Sequence, residues 1–226
     1  MLLPSDNPHS IFVRFRLKKR KTMQREDAIR KLKELEGKDL VPLAKLYDVT
    51  IWKGDKKNKG WAGHVLERYL GLPLNSAQSP NFGSWELKIV PLKKLASGKT
   101  TVKETMAITM IDPYNVARTS FEQSHLLSKL KKTVVCARLF ESQKEDRSIL
   151  VRVGTFDLND KDTYEQVKRD YEETRNCILT KGFDCLTGAM GVLVQPRTKG
   201  PGHGSTSRAF YARTHFVARI LGIQMG

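Results

Sequence analysis

The sequence lacks the features that mark membrane, secreted and zinc-binding proteins. Cysteine is scarce, with three in 226 residues and no two in a CxxC arrangement. This usage is typical of a reducing compartment and gives no metal-type spacing. No apolar run reaches the length of about 18 residues that a transmembrane helix needs, and the N-terminus has no secretion-type apolar region. We therefore expect a cytoplasmic protein whose cysteines, Cys136, Cys177 and Cys185, pack in the interior as thiols.

Acidic residues are also few. Asp and Glu total 24 against 40 Lys and Arg, which gives a formal net charge of +16. A protein this basic is expected to meet a polyanion, because binding to a phosphate backbone releases condensed counterions. Charge alone does not separate DNA from RNA, a ribosome or a heparin-like ligand. The length suits one medium domain, with or without a small second lobe.

Hydrophobic periodicity predicts a mixture of helices and strands. The predicted helices cover 24–36, 40–46, 60–72, 121–132, 163–179 and 216–223, and the predicted strands cover 85–92, 105–110, 133–140, 148–156, 191–195 and 208–214. This order favours an α/β (α+β mixed) fold with a central mixed sheet flanked by helices. Residues 1–23 form a basic N-terminal extension, either an ordered arm or a tail, and 24–226 form the main domain. Whether that domain is one body or two lobes around a DNA cleft stays open.

The segment from Ser79 to Lys88, SPNFGSWELK, carries the main chemical signal. Side chains two apart on a strand point to the same side, so Glu86 and Lys88 can meet one phosphate together. Glu86 would bind a divalent cation through oxygen, and Lys88 would orient the attacking water and offset developing charge. An acid and an amine also alternate on many solvated strand faces, so this pair alone does not define a site. The preceding helix adds Glu67 as a further carboxylate.

Several segments in a fixed order resemble the MutH family of PD-(D/E)xK DNA endonucleases, which includes restriction enzymes such as MvaI and BcnI. These segments are KGWAGHVLERYLGL, ELKIVPL, SHLLSKLKKTVV (124–135), GVLVQPRTKG and RAFYARTHF. The resemblance as a whole extends over residues 26–221. The resemblance implies a restriction-endonuclease-like core that hydrolyses double-stranded DNA with Mg²⁺. It further implies that Glu67, Glu86 and Lys88 are catalytic and that the 124–135 segment supplies another catalytic lysine. We choose Lys131 for that role, with Lys129 as the neighbouring candidate.

The sequence departs from this family where an aspartate is expected before the ExK strand. No Asp occurs between Asp55 and Asp112. Asn81, after Pro80, has the spacing of MvaI and BcnI, whereas the MutH spacing points to Ser79. An amide oxygen can bind a metal but brings no charge. Asn81 is therefore either an Asp-to-Asn change of the kind engineered to trap an uncleaved complex, or a natural variant that relies on Glu67 and Glu86. Both interpretations predict a weak Mg²⁺ site at Asn81 and Glu86.

The C-terminal part of the chain holds the candidate DNA-reading residues. They are Arg197, Lys199, His203, Arg208, Tyr211, Arg213 and His215. The first three lie in a loop rich in Gly and Pro that can approach a groove closely. On a strand, Tyr211, Arg213 and His215 would share one face. Arginine suits the edge of guanine, while other cations would hold phosphates or remain solvated. Trp52 and Trp61 are expected in the core.

Four functions compete on this evidence. A monomeric restriction enzyme would cut both strands of its site, whereas a MutH-type repair enzyme would nick one strand and need a mismatch-repair partner. The basic charge favours the first, because a self-sufficient enzyme must bind DNA without a loader. Asn81 favours a third function, a DNA-binding module without cleavage. An RNA-binding protein would account for the charge and leave the ordered motifs unexplained.

Overall fold

The computed structural model describes residues 23–71, 80, 83–200 and 206–224. The basic extension, Asn81 and His203 therefore lie outside the described residues, apart from Met23. Within those residues no helix is long and apolar enough to cross a membrane.

The helices are α1 (Arg25–Lys33), α2 (Leu40–Leu46), α3 (Trp61–Tyr69), α4 (Pro113–Arg118), α5 (His125–Leu130), α6 (Lys161–Lys181) and α7 (Thr214–Leu221), with short 3-10 turns at Phe121–Gln123 and Phe183–Cys185. The strands are β1 (Trp52–Lys53), β2 (Lys56–Lys57), β3 (Glu86–Lys94), β4 (Thr100–Val102), β5 (Met106–Ile111), β6 (Lys132–Leu139), β7 (Leu150–Asp157), β8 (Val194–Thr198) and β9 (Arg208–Ala212).

The central sheet has the strand order β4-β3-β6-β7. β3 and β6 run parallel, with Glu86 opposite Thr133 and Leu92 opposite Leu139. β4 and β7 pair antiparallel on the two sides. A second, antiparallel sheet has the order β5-β9-β8, and β1 and β2 form a separate hairpin. The expected mixed α/β architecture, with a central mixed sheet and flanking helices, is confirmed.

Two hydrophobic clusters cover the two faces of the central sheet. Trp85, directly before β3, and Leu87, within β3, pack with the core residues of α1, α2 and α3. Val90 and Leu92 pack on the other side with α5, α6, α7 and the second sheet. Because side chains alternate along a strand, Glu86 and Lys88 lie on the same face as Val90, under the second sheet. The predicted alternation along this strand is therefore confirmed.

Helix caps fix the ends of the helices near the site. Ser124 ends the 3-10 turn and accepts a hydrogen bond from the Leu127 amide at 3.1 Å, which starts α5. Asp160 accepts from the Thr163 amide at 2.8 Å and starts α6. Such side-chain caps satisfy amides that have no partner within the helix. The predicted single helix over 121–132 is instead a 3-10 turn followed by α5, because Ser124 restarts it.

Some local predictions are wrong. Trp52, expected in the core, is 40% exposed in the β1–β2 hairpin. Trp61 is fully buried, as predicted. Cys177 and Cys185 form a disulfide between α6 and the following 3-10 turn, so only Cys136 is a free, buried thiol among the described residues. The predictions also missed α4, which begins at Pro113 and has Asp112 as its N-cap, where the carboxylate accepts from the Tyr114 and Asn115 amides.

Candidate active site

Glu86 is the buried carboxylate at the start of β3. It is 1% exposed. Its Oε1 lies 2.8 Å from Lys88 Nζ and 3.3 Å from Lys129 Nζ. Two ammonium groups therefore contact one carboxylate oxygen.

Lys129 reaches Glu86 because of the parallel pairing of β3 and β6. α5 leads directly into β6, and Glu86 lies opposite Thr133 of that strand. The Thr133 hydroxyl donates to the Lys129 carbonyl at 3.1 Å, which ties the end of the helix to the start of the strand. Lys129 is consequently 7% exposed and directed at the carboxylate.

The sequence-based choice of Lys131 over Lys129 is wrong about which lysine lies beside Glu86. Lys131 is the C-cap residue of α5 and is exposed. Residues two apart on a helix point in nearly opposite directions, since each residue turns the helix by about 100°. The lysine that turns inward to Glu86 is therefore Lys129, and Lys131 turns to solvent.

Lys88 lies at the floor of a cleft between the two sheets. Its Nζ donates to the Ile108 carbonyl of β5 at 3.3 Å, in addition to its contact with Glu86. We call this cleft, with a volume of about 610 Å³, the central cleft. Its walls come from β3, β5, β8 and β9, and its polar side chains are Lys59, Lys88, Glu104, Thr105, Arg197, Lys199 and Tyr211.

Lys199 belongs to the same electrostatic cluster. Burial, together with the positive charges of Lys88 and Lys129, lowers the pKa of Lys199 below its usual value. The charged form of a lysine crowded by burial and neighbouring cations is stabilised when an anion enters and offsets the repulsion. The central cleft is thus suited to a phosphate group.

Glu67 lies on α3, the helix that packs on the opposite face of β3. α3 approaches β3 closely at Gly63, where an added Cβ would lie 3.7 Å from Ile89 Cγ2. Glu67 is one helical turn further along and is partly buried. Glu67 has at least one interaction partner, and Glu86 has one in addition to Lys88 and Lys129.

The metal-ligand set is only partly visible in the described ranges. They contain no group of three His, Cys, Asp or Glu side chains that could hold a metal ion. Glu86 offers the hard oxygen donor that Mg²⁺ prefers, so the residue present fits such a cation. The second predicted ligand, Asn81, falls in the interval 81–82, outside the described residues.

The predicted DNA-reading residues separate into two groups. Arg197, Lys199 and Tyr211 line the central cleft. Arg197 donates to Thr105 Oγ1 at 2.9 Å and lies 5.9 Å from the Tyr211 ring centre. Arg208 begins β9 and is half-buried, with its guanidinium 5.9 Å from the Phe183 ring centre.

Arg213 and His215 do not share a strand face with Tyr211, so that prediction is wrong. β9 ends at Ala212, and Arg213 is the N-cap of α7. The Arg213 guanidinium donates to four backbone carbonyls between Gly188 and Gly191, at 3.0 to 3.1 Å. His215 lies exposed in the first turn of α7. Arg213 therefore holds a loop together.

Sequence reasoning missed Lys59 and Glu104 as residues of the cleft. Lys59 follows the β1–β2 hairpin, and Glu104 precedes β5. Neither lies in a motif of its own. The available signal for Lys59 was its place directly before the Gly-Trp pair that opens α3, since the first turn of a helix beside β3 must lie near Lys88.

Comparisons with known proteins show similarity to two related families. A family model described as DNA mismatch repair enzyme MutH matches residues 70–170, and the MvaI/BcnI restriction endonuclease family matches residues 29–106. Among curated relatives, the DNA mismatch repair protein MutH of Vibrio campbellii is 27% identical over 213 residues, covering 86% of this chain and 92% of that protein. The protein of the same name from Salmonella paratyphi C is 29% identical over 188 residues, covering 80% of this chain and 78% of that protein.

A solved structure, the restriction endonuclease MvaI in complex with cognate DNA, matches with a TM-score of 0.38 and 13% identity, over 88% of this chain and 97% of that chain. The two family models together cover residues from within α1 to the middle of α6, including Glu67, Glu86, Lys88 and Lys129. The ordered motifs and the relatives along most of the chain lead to the same assignment. Together with the two family models, they support a MutH-like family of endonucleases for this chain, with MvaI/BcnI-type restriction enzymes among the similar proteins.

Proposed function

We propose that the protein is a sequence-specific endonuclease that hydrolyses phosphodiester bonds of double-stranded DNA with Mg²⁺. The observation that carries this proposal is the buried Glu86 carboxylate, which two lysines contact at the edge of a basic cleft. A carboxylate with adjacent amines suits in-line hydrolysis, which needs a cation ligand, a positioned water and charge stabilisation at one phosphate. The net charge of +16 suits a polyanionic substrate.

Each residue of the site has its own role in this proposal. Glu86 and residue 81 hold the cation, with Asn81 giving a weaker ligand than an aspartate would. Lys88 orients the attacking water, and Lys129 stabilises the scissile phosphate. Glu67 positions the cation or one of these lysines. When bound, Mg²⁺ supplies charge neutralisation at the phosphate and lowers the pKa of a coordinated water.

Lys129 suits its role because Glu86 and the end of α5 hold its ammonium in place before substrate arrives. A donor that is already oriented needs no reorganisation as charge develops on the phosphate. Lys199, Arg197 and Tyr211 line the cleft around this point and would hold the duplex. Arg208 would contact DNA at the start of β9, and His203 and His215 remain predictions from sequence.

Cleavage of supercoiled plasmid tests the proposal. The chain itself and its Asn81→Asp variant should be incubated with Mg²⁺, and we expect the variant to cut faster. Linear product supports a restriction enzyme that cuts both strands. Open circle alone supports the second candidate, a MutH-type nicking enzyme that works with a mismatch-repair partner. The relatives' names favour that candidate.

A third candidate, a DNA-binding module without cleavage, is favoured by Asn81 alone. This candidate predicts that the Asn81→Asp protein binds duplex DNA but does not cleave a plasmid that contains many different short sites. A competition gel between duplex DNA and duplex RNA supplies the remaining test. Preference for RNA would overturn the endonuclease proposal in all its forms.

A further inference from the structure

A second, smaller depression opens next to the central cleft. Its volume is about 240 Å³, and we call it the flanking groove. Its charged and aromatic side chains are Lys57, Lys59, Lys103, Glu104, Arg138, Phe140 and Glu145. We propose that the flanking groove is a second binding site for the sugar-phosphate backbone of the same duplex, to one side of the scissile phosphate. This inference rests on the proposed function and adds a substrate contact to it.

The two depressions are continuous. Lys59, Pro91 and Glu104 line both of them. β3 connects them, since Lys88 lies in the central cleft and Pro91 lies at the boundary. Three residues along a strand span about 10 Å. The boundary of the flanking groove therefore lies about 10 Å along β3 from Lys88, a distance that neighbouring phosphates of one bound duplex can bridge.

The flanking groove has an excess of positive charge. Four cations line it, namely Lys57, Lys59, Lys103 and Arg138, against the two carboxylates of Glu104 and Glu145. Glu145 is already fully engaged, because Arg138 contacts both its oxygens at 2.6 and 3.0 Å and Lys57 also contacts it. The remaining surface charge belongs to Lys59 and Lys103, with the exposed Glu104 carboxylate beside them.

A buried network organises the groove before any ligand binds. Glu145 is 3% exposed and adopts a positive φ of 55°, a conformation that a non-glycine residue rarely adopts without compensation. Its contacts join Arg138 of β6 to Lys57 of the β1–β2 hairpin. Burial by itself would raise the pKa of Glu145, but hydrogen bonds from Arg138 and Lys57 outweigh it and the pKa lies below its usual value. The carboxylate therefore stays charged and keeps both cations in place.

Phe140 aligns the two lysines that face the groove. Lys103 Nζ lies 4.4 Å and Lys57 Nζ lies 5.4 Å from the centre of its ring. Both distances lie within the range of cation–π attraction. An ordinary solvated lysine loses side-chain entropy when it binds a phosphate, whereas a lysine already held over a ring loses less. This order distinguishes the groove from a merely solvated basic face.

Lys103 is the best probe of this site. The carboxylate nearest to its ammonium, that of Glu104, is 4.0 Å away, at the limit of an ion pair. Its side chain is 30% exposed. Lys57, by contrast, supports Glu145, so that its removal would disturb the fold. Lys103→Ala removes a cation from the groove and leaves the buried network intact.

The experiment measures the affinity of the full chain for a fluorescent duplex of mixed sequence across a salt series, without divalent cation. We expect Lys103→Ala to reduce the slope of log affinity against log salt by about 0.9, the value for one lost phosphate contact. Lys103→Arg should restore the slope. Lys33→Ala is the matched control: Lys33 is exposed on α1, which packs at the β7 edge of the sheet, away from β4 and the groove.

The outcomes separate this inference from the proposed function. If the unmodified chain binds duplex and Lys103→Ala keeps its salt slope, the flanking groove does not hold the backbone, and the endonuclease proposal stands. An equal fall in slope for Lys33→Ala would also overturn the inference, since the effect would then reflect net charge. If the unmodified chain fails to bind duplex DNA, both the inference and the proposed function are overturned.

Discussion

Lys129 Nζ lies 3.3 Å from Glu86 Oε1, although the two residues are 43 positions apart in the chain. The contact depends on the parallel register of β3 and β6 and on the orientation of the last turn of α5. Together with Lys88, it gives one carboxylate two amine neighbours. The contact with Glu86 distinguishes Lys129 from Lys131, which the sequence alone presents as nearly equivalent candidates.

Lys129→Ala should abolish plasmid cleavage in the Asn81→Asp background with Mg²⁺, whereas Lys131→Ala should retain it. The first change removes the ammonium beside Glu86 and the second removes an exposed side chain at the helix end. Initial rates of loss of supercoiled plasmid measure both. If Lys131→Ala cuts poorly and Lys129→Ala cuts well, the assignment of roles in the cluster is reversed. Circular dichroism should confirm that both variants are folded.

Lys88→Ala should abolish cleavage while the affinity for duplex DNA falls by less than about tenfold, because one contact among several is lost. Its ammonium contacts Glu86 and the Ile108 carbonyl, which places it at the floor of the cleft. Fluorescence anisotropy without Mg²⁺ gives the affinity, and the plasmid assay gives the rate. A loss of binding as large as the loss of cleavage would make Lys88 a phosphate clamp only.

Glu145→Gln should reduce the free energy of unfolding at neutral pH by about 3–5 kcal/mol, because it leaves Arg138 as a buried cation without its carboxylate. The folded-state pKa of Glu145 lies below the ordinary carboxyl value. Its stabilisation is therefore complete above that ordinary value and is lost as the pH falls toward the folded-state pKa.

The difference in stability between Glu145→Gln and the unmodified chain should accordingly shrink on acidification. Urea unfolding at several pH values between neutral and acid measures it. Glu141→Gln is the control, since Glu141 is about one-third exposed and its nearest cation, Arg147, lies 3.8 Å away. A difference that stays constant with pH would show that the carboxylate charge does not contribute.

Arg213→Ala should lower the free energy of unfolding by about 1.5–3 kcal/mol, the range for hydrogen bonds from a charged donor. Its guanidinium donates to four carbonyls of the 188–191 loop. Differential scanning calorimetry should show a lower Tm.

Arg208→Ala is the comparison for Arg213→Ala. If Arg208 contacts a base, its removal should reduce the preference for cognate over random duplex by about 1–3 kcal/mol. We expect little change in Tm for this variant. If Arg213→Ala instead changes the sequence preference strongly and leaves Tm unchanged, Arg213 is a DNA-reading residue, as the sequence predicted.

Much of the fold follows from periodicity. The alternation of Trp85, Leu87 and Ile89 with Glu86 and Lys88 predicts both the strand and its two faces, because buried and functional side chains obey the same two-residue repeat. Apolar spacing likewise predicts α1, α3 and α6 within a few residues. The element types are largely right where long periodic segments occur.

The remaining differences have tertiary causes. Neither the pattern nor the resemblance distinguishes Lys129 from Lys131, because the orientation of α5 depends on its junction with β6. β9 ends at Ala212, since Arg213 uses its guanidinium to bind the preceding loop and caps α7 instead of continuing the strand. The flanking groove has no sequence motif, because its walls come from the β1–β2 hairpin, β6 and the segment after β4.

The parallel pairing of β3 with β6 also has a consequence during synthesis. Glu86 and Lys129 cannot meet until the chain has closed the long crossover between these strands, and Lys199 joins them only after β8 has formed. Contacts between distant segments form slowly, because the loop must close before the pairing stabilises it. An unfinished polypeptide on the ribosome therefore has the individual residues without the assembled cluster.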